Sequence, residues 1–215
     1  MQLYSFEESG NSYKVRLLCA LLGVTPEIKN VSLLHDEQHQ PPFITLNPRG
    51  EVPVLVDGAL VLRDSAAILL YIASKHGHGL WWPQDAAAQA KVMEWLAFAA
   101  SWVQYGVFTA RALLSFGIPA NGLPADFKGE ALAAAQLRGQ RSLAILETEL
   151  RAQDWLVPGR PTIADIAVFP YIALAPMGDV SLTPFEAVRA WLARIRQLPG
   201  FVGMPGLDDP GYRRR

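Results

Sequence analysis

The sequence predicts an α/β domain over residues 1–80 followed by an all-helical domain over residues 85–215. The first eighty residues alternate short β-favouring runs with helical ones, whereas the chain after Pro83 reads as helix separated by Pro/Gly turns. A row of aromatics in the second half, Trp95, Phe98, Trp102 and Tyr105, recurs at the spacing of one helix face, and such a stripe faces something apolar. At roughly 100–200 residues per domain, 215 residues allow one large domain or two small ones. With 51% hydrophobic and 18% charged residues and a mean hydropathy of +0.16, the chain can bury a core and is not disordered.

Gln2 to Phe6 is short and β-favouring, and Glu7 to Asn11 breaks it. Ser12 to Leu22 follows as a helix, with Val15, Leu18, Cys19 and Leu22 at i, i+3, i+4 and i+7. Glu27 to Leu33, Val52 to Val56 and Leu60 to Leu62 supply three further strands, the last two joined by the Asp57-Gly58 turn signal. Ser65 to His76 is a helix. A helical crossover between the first two strands makes them parallel and right-handed. Residues 77–83, with Trp81 and Trp82, form a packed linker. Four helical stretches then follow: Ala86 to about Phe116, Phe127 to Ala152, Ile163 to Pro176, and Phe185 to Leu198, the last ended by Pro199-Gly200.

Nineteen basic and twenty acidic residues leave a net charge of −1 with no polarised half, which argues against a nucleic-acid partner. Arg213, Arg214 and Arg215 read as a solvated tail. The single cysteine, Cys19, excludes an internal disulfide and multi-cysteine metal sites, and it fits a reducing cytoplasm. The N-terminus lacks signal-peptide character, and the longest uncharged run, Trp95 to Ala110, falls short of the roughly 18 residues of a membrane span. His35, His39, His76 and His78 lack metal-ligand spacing, so no metal is expected. Absence of G-x-S-x-G, H-E-x-x-H, Walker and G-x-G-x-x-G patterns excludes the common hydrolase, kinase and dinucleotide enzymes.

Three polar clusters remain at the edges of first-half elements. Ser9, Asn11 and Ser12 lie where strand one meets helix one; a helix N-terminus offers free N–H groups and partial positive charge, which suits a thiolate, although plain capping explains the same residues. In Asn47-Pro48-Arg49-Gly50-Glu51-Val52-Pro53, a cis bond before Pro53 would turn the Val52 main chain outward to pair with an extended peptide. Asp64 and Ser65 before the next helix are either an N-cap or a seat for an α-amino acid head, the helix end taking its carboxylate and Asp64 its ammonium.

The strings LYSFEESGNSYKVRLLCALLG, NPRGEVPVLVDG and LRDSAAILLYIA, followed by Thr162-Ile163-Ala164-Asp165 in the helical half, resemble a bacterial cytosolic glutathione S-transferase of serine type over essentially the whole chain. The resemblance implies a thioredoxin-like first domain, an all-helical second domain, a homodimer and a cytoplasmic detoxification enzyme with glutathione as co-substrate. It places the γ-glutamyl carboxylate on Asp64 and Ser65, and the cysteinyl backbone on Val52 beside Pro53. The thiol falls by Ser9, the first choice of hydroxyl, with Ser12 and Asn11 next.

Tyr4, where tyrosine-type members carry a phenol, reads rather as a strand residue near the site, and Cys19 as packing. The usual basic partner for the glycyl carboxylate is missing, leaving Gln38 and His39 as candidates; the negative charge of Glu51 would not help. The thiolate would attack a small apolar electrophile, whose pocket would draw on Trp102, Tyr105, Phe108 and Arg111, the arginine polarising an electrophile or holding an acidic substituent. The same aromatics could equally be core or dimer contact.

Thr162 and Asp165 have the spacing of a capping box and a folding role. A second class of function is a non-catalytic protein-interaction module on the same fold, against which Ser9, Val52-Pro53 and Asp64-Ser65 together speak. A third is a glutathione-dependent isomerase, dehalogenase or disulfide reductase, the reductase disfavoured by serines where a cysteine would be needed.

Overall fold

A computed structural model describes residues 1–117 and 128–213. Its first part is a four-stranded mixed sheet in the order β2-β1-β3-β4, built from β1 (Gln2–Ser5), β2 (Glu27–Asn30), β3 (Val54–Asp57) and β4 (Leu60–Leu62). β1 runs parallel to β2 and antiparallel to β3, and β3 and β4 form a hairpin. The alternation of strand side chains divides the sheet faces. Leu3 and Leu55 point into the main core with helices α1 (Gly10–Leu21) and α3 (Ser65–His76), while Tyr4, Val54 and Val56 join a second cluster around Phe43 of the short helix α2 (Phe43–Leu46). This is the thioredoxin-like arrangement that the resemblance implies, and an all-helical part follows it.

Of the boundaries that differ from the sequence reading, three have a local reason that bears on the cleft. α1 begins at Gly10 because Ser9, with extended backbone, already caps it. A Cβ on Gly10 would stand 2.5 Å from the Tyr171 ring, so the helix start needs glycine to admit that ring. β2 ends at Asn30 rather than Leu33, since Ser32 turns the chain by accepting a bond from Glu37 N–H through its carbonyl, and a 3-10 turn (Leu33–His35) follows. β3 begins at Val54, opposite Tyr4, which leaves Val52 and Pro53 before the ladder; the Val52–Pro53 bond is cis.

The helical part contains α4 (Ala86–Phe98), π-helical turns (Ala99–Phe108 and Ala112–Phe116) on either side of one α turn, α5 (Thr109–Arg111), then α6 (Lys128–Leu150), α7 (Ile163–Ala173) and α8 (Glu186–Arg196). The single long helix expected over residues 86–116 is thus reshaped. Its pivot is Gly106, with φ −106° and ψ −105°, and a Cβ there would stand 2.9 Å from the Gly139 backbone N of α6. Two glycines let the backbones of the two helices touch. Phe127 of the expected next helix lies outside the described residues.

Along the aromatic stripe, Trp95 is buried and packs edge-on against Phe98, whereas Tyr105 is half exposed. α7 is buried along its whole length, as its apolar sequence requires. The Thr162 and Asp165 capping box is formed, and Asp165 also accepts bonds from the Leu156 N–H (3.0 Å) and the Trp191 indole (3.0 Å), tying α7 to α8.

The expected solvated arginine tail is corrected in part. Arg213 is bound to Glu8 at 2.6 Å, because a carboxylate this buried needs a cation within reach; Arg214 and Arg215 lie outside the described residues. Cys19 is buried in the core, and desolvation pushes its thiol up to about 12.

Candidate functional site

A cleft of about 710 Å³ opens between the sheet part and the helical part. Its floor is the β1–α1 turn. Ser9 Oγ accepts from the Ser12 N–H at 3.2 Å, a cap that leaves the hydroxyl proton free to donate elsewhere. The turn is held from several directions. Arg16 donates to Ser5 Oγ and to the carbonyls of Phe6 and Glu7; Arg111 donates to the Glu8 carbonyl at 3.2 Å; and Tyr212 and Arg213 hold the Glu8 carboxylate. A hydroxyl on so fixed a turn has a defined position.

The first wall carries Val52, Asp64 and Ser65. Asp64 Oδ1 caps α3 through the Ala66 N–H (2.8 Å), so its second oxygen remains available at the same helix start. Among the described residues no backbone hydrogen bond between elements uses the main chain of Val52. Gln38 also faces the cleft; its Nε2 donates to Asp36, while its buried Oε1 has no partner.

The opposite wall comes from the helical part: Tyr105, Phe108 and Arg111 of the π-turn region, and Tyr171 of α7. The π turns widen the helix locally and supply much of the helical lining of the cleft, a common placement for such irregularities. Phe108 packs edge-on against Tyr171 at 4.9 Å. Tyr171 Oη accepts from the Asn11 N–H at 3.1 Å, bringing α7 onto the start of α1, and burial raises its phenol to about 12. Lys14, one helical turn past Asn11, donates to Asn11 Oδ1 at 2.8 Å and stands 5.2 Å from the Tyr171 ring centroid. Burial lowers the Lys14 ammonium to about 8 against an opposing pull from Asp64. Burial also lowers Arg111, opposed by Tyr171, Glu8 and Tyr212.

The structure therefore brings Ser9, Asn11, Gln38, Val52, Asp64, Ser65, Tyr105, Phe108 and Arg111 to one cleft. Five residues weighed from the sequence stand outside the lining. Ser12 is fully buried, its Oγ accepting from the Phe6 N–H. His39 is outside the lining, bound to Asp36 at 2.6 Å, with its ring packed where a Cβ on Gly50 would be. Pro53 shapes the chain behind Val52. Tyr4 packs against Phe43 on the far side of the sheet. Trp102 lies under the Arg138 guanidinium and stacks on Phe98. Among the described residues no group of His, Cys, Asp and Glu is arranged to hold a metal ion.

Sequence reasoning missed Glu8, Lys14, Arg16 and Tyr171. Lys14 had a signal, since it lies four residues before Leu18 and beside Val15 on the buried side of α1. Tyr171 had none, because its role depends on a contact across 160 residues.

Comparison with known proteins agrees with this architecture. Residues 3–79 match the N-terminal domain model of glutathione S-transferase, and residues 88–199 match the C-terminal one. Glutathione S-transferase D7 of Anopheles gambiae is 30% identical over 97% of this chain and 92% of its own length; glutathione S-transferase T1 of Arabidopsis thaliana is 32% identical over 97% and 86%. A possible glutathione S-transferase from Rhodopseudomonas palustris superposes with a TM-score of 0.85 at 34% identity, covering 95% of this chain and 89% of that one. A family member from Pseudomonas fluorescens with two glutathione bound superposes with a TM-score of 0.79 at 28% identity, over 93% and 89%. With both of its parts matched and the cleft lying between them, the chain belongs to the glutathione S-transferase family of enzymes.

Proposed function

We propose that this protein binds glutathione along the first wall of the cleft and joins it, through its sulfur, to a small electrophile held against the second. The observation that carries the reading is the convergence of Ser9, Val52, Asp64 and Ser65 on one cleft. Val52 offers a main-chain edge for the cysteinyl unit. Asp64 and the α3 start complement the ammonium and carboxylate of the γ-glutamyl head, and the partnerless Gln38 Oε1 suits a donor group of the peptide.

The chemistry asked of the protein is modest, because glutathione brings its own nucleophile. A thiol of pKa near 8.5 is ionised at neutral pH once its thiolate gains about 2.7 kcal/mol, or about two pKa units. A hydroxyl bond from Ser9 to the charged sulfur contributes about 1.5–3 kcal/mol, and the α1 N-terminus about 0.3–1 kcal/mol. The thiol proton passes to water, so no general base is needed. Asn11 acts through its contacts with Lys14 and Tyr171, which hold the helix start beneath the sulfur. The enzyme works as a homodimer in the cytoplasm, in a detoxifying role; among the described residues no helix is long and apolar enough to cross a membrane.

The test is calorimetric titration with glutathione together with the absorbance of the bound thiolate. Dissociation in the millimolar range or tighter, with a thiolate signal that Ser9→Ala removes, is expected. Folded protein that takes up no glutathione would sink the reading.

A further inference from the structure

We propose that the electrophile is an anion: a small molecule bearing a carboxylate, held by Lys14 and Arg111 beside Tyr171. The inference rests on the glutathione reading above and names the class of second substrate. Its basis is a mismatch of charge and partner. Lys14 and Arg111 are 5% and 4% exposed, both line the cleft, and among the described residues neither forms an ion pair with a carboxylate. In direct contact Lys14 has the neutral Asn11 Oδ1 and the face of Tyr171, with the Asp64 charge acting from beyond ion-pair distance; Arg111 has the Glu8 carbonyl, Met177 Sδ and the face of Phe116, with the Glu8 carboxylate acting likewise.

Asp64 and Glu8 act on these two cations without reaching ion-pair contact, and two buried cations with no carboxylate against them are expensive to keep unless something anionic meets them. The carboxylate within reach is already engaged, since Glu8 is held by Arg213 and Tyr212. Asp64 stands at the α3 start, where the γ-glutamyl ammonium claims it on the proposed reading.

Both cations act on one side chain: Lys14 stands over the Tyr171 ring, and the Arg111 charge opposes the upward push of burial on the Tyr171 phenol. Lys14 remains mostly protonated at neutral pH even after desolvation, and an anionic ligand would favour that form further. The remaining wall, Tyr105 and Phe108, suits the apolar body of a ring or short chain.

The test compares para-chloro-dinitrobenzoate with its carboxamide, two electrophiles of like size that differ in charge. In each, a sulfur–carbon bond forms, the carbon–chlorine bond breaks, chloride leaves with the bonding pair, and the thiol proton passes to water. With kcat/KM divided by the uncatalysed rate for each compound, the acid should be favoured about tenfold or more, as expected for a charge-assisted contact. Lys14→Met and Arg111→Met should each shrink that ratio at least about threefold.

A ratio near or below one, in protein that binds glutathione by calorimetry, overturns the proposal and leaves the glutathione reading standing. Folded protein without glutathione binding overturns both. If Lys14→Met weakens glutathione and leaves the ratio unmoved, Lys14 belongs to the glutathione wall and its assignment here is wrong. The unsubstituted protein decides the main question even if a variant does not fold.

Discussion

The two walls of the cleft are built in opposite ways. The first wall, proposed above for glutathione, uses local devices: a cap at Ser9, a cap at Asp64, and a main-chain edge at Val52, each made by residues within a few positions of one another. The second wall, proposed for the electrophile, is assembled from distant pieces. Lys14 comes from α1, Arg111 from α5 and Tyr171 from α7; the Tyr171 hydroxyl and the Arg111 guanidinium find partners across the domain boundary, and Lys14 meets the Tyr171 ring there. A local device tolerates substitution elsewhere in the chain, whereas an assembled wall inherits every error in packing. The first wall should therefore respond to charge and hydroxyl changes in binding and rate, and the second should register scaffold changes first.

The largest effect belongs to the scaffold. Asp165→Ala removes the acceptor of four buried donors, the N–H groups of Leu156 and Thr162, the Thr162 hydroxyl and the Trp191 indole, and should cost about 3 kcal/mol or more. Denaturant melts will measure this, while glutathione affinity per folded molecule stays unchanged; lost affinity at unchanged stability would break the contrast between walls. Ser9→Ala comes next, with a fall in kcat/KM of roughly ten- to a hundredfold as the hydroxyl bond to sulfur disappears. Glutathione titration of that variant at several pH values should show the bound thiol ionising at higher pH than in the unsubstituted protein.

Asp64→Asn separates two roles of one side chain. Asparagine caps as well as aspartate does, so stability should hold within about 0.5 kcal/mol, but the loss of charge opposite the ammonium should weaken glutathione about tenfold. A melting loss with intact affinity would mean that Asp64 is a cap and nothing more.

The smallest effect sharpens the second wall. Lys14 is lowered in the fold from 10.5 to about 8, chiefly by burial. A depressed pKa contributes stability above the unfolded value and loses it as the pH falls through the folded one, so at pH 7 the buried ammonium is a net burden. Lys14→Met should then stabilise the protein by about 2 kcal/mol at pH 7 after allowing for the lost Asn11 bond. The gain should fade as pH rises from about 8 toward 10.5. Equal gains at pH 7 and pH 10.5, read from paired melts, would show that packing and not charge is responsible.

The same contrast explains how far the sequence could be read. The first wall was legible because caps and a proline before a strand are written in adjacent residues: Asp64 and Ser65 could be assigned to a helix start from the order of letters alone. Strand ends were less so; where β3 begins depends on Tyr4 facing Val54, a pairing that no local rule fixes. The break at Gly106 escaped notice because an apolar helical pattern continues through it, and only contact with Gly139 makes the glycine necessary. Ser12, plausible by spacing, lies on the inner side of the turn. Tyr171 and the Glu8 clamp were invisible, since each depends on residues that meet only after the two parts have packed.

That clamp has a kinetic side. The turn holding Ser9 receives its ties from Tyr212 and Arg213 across separations of 204 and 205 residues. Closing so long a loop costs entropy that only the finished packing of α7 and α8 can offset. In refolding, helix content should therefore return before the thiolate signal does. The protein would pass through a state that is shaped like the enzyme and cannot yet hold its nucleophile in place.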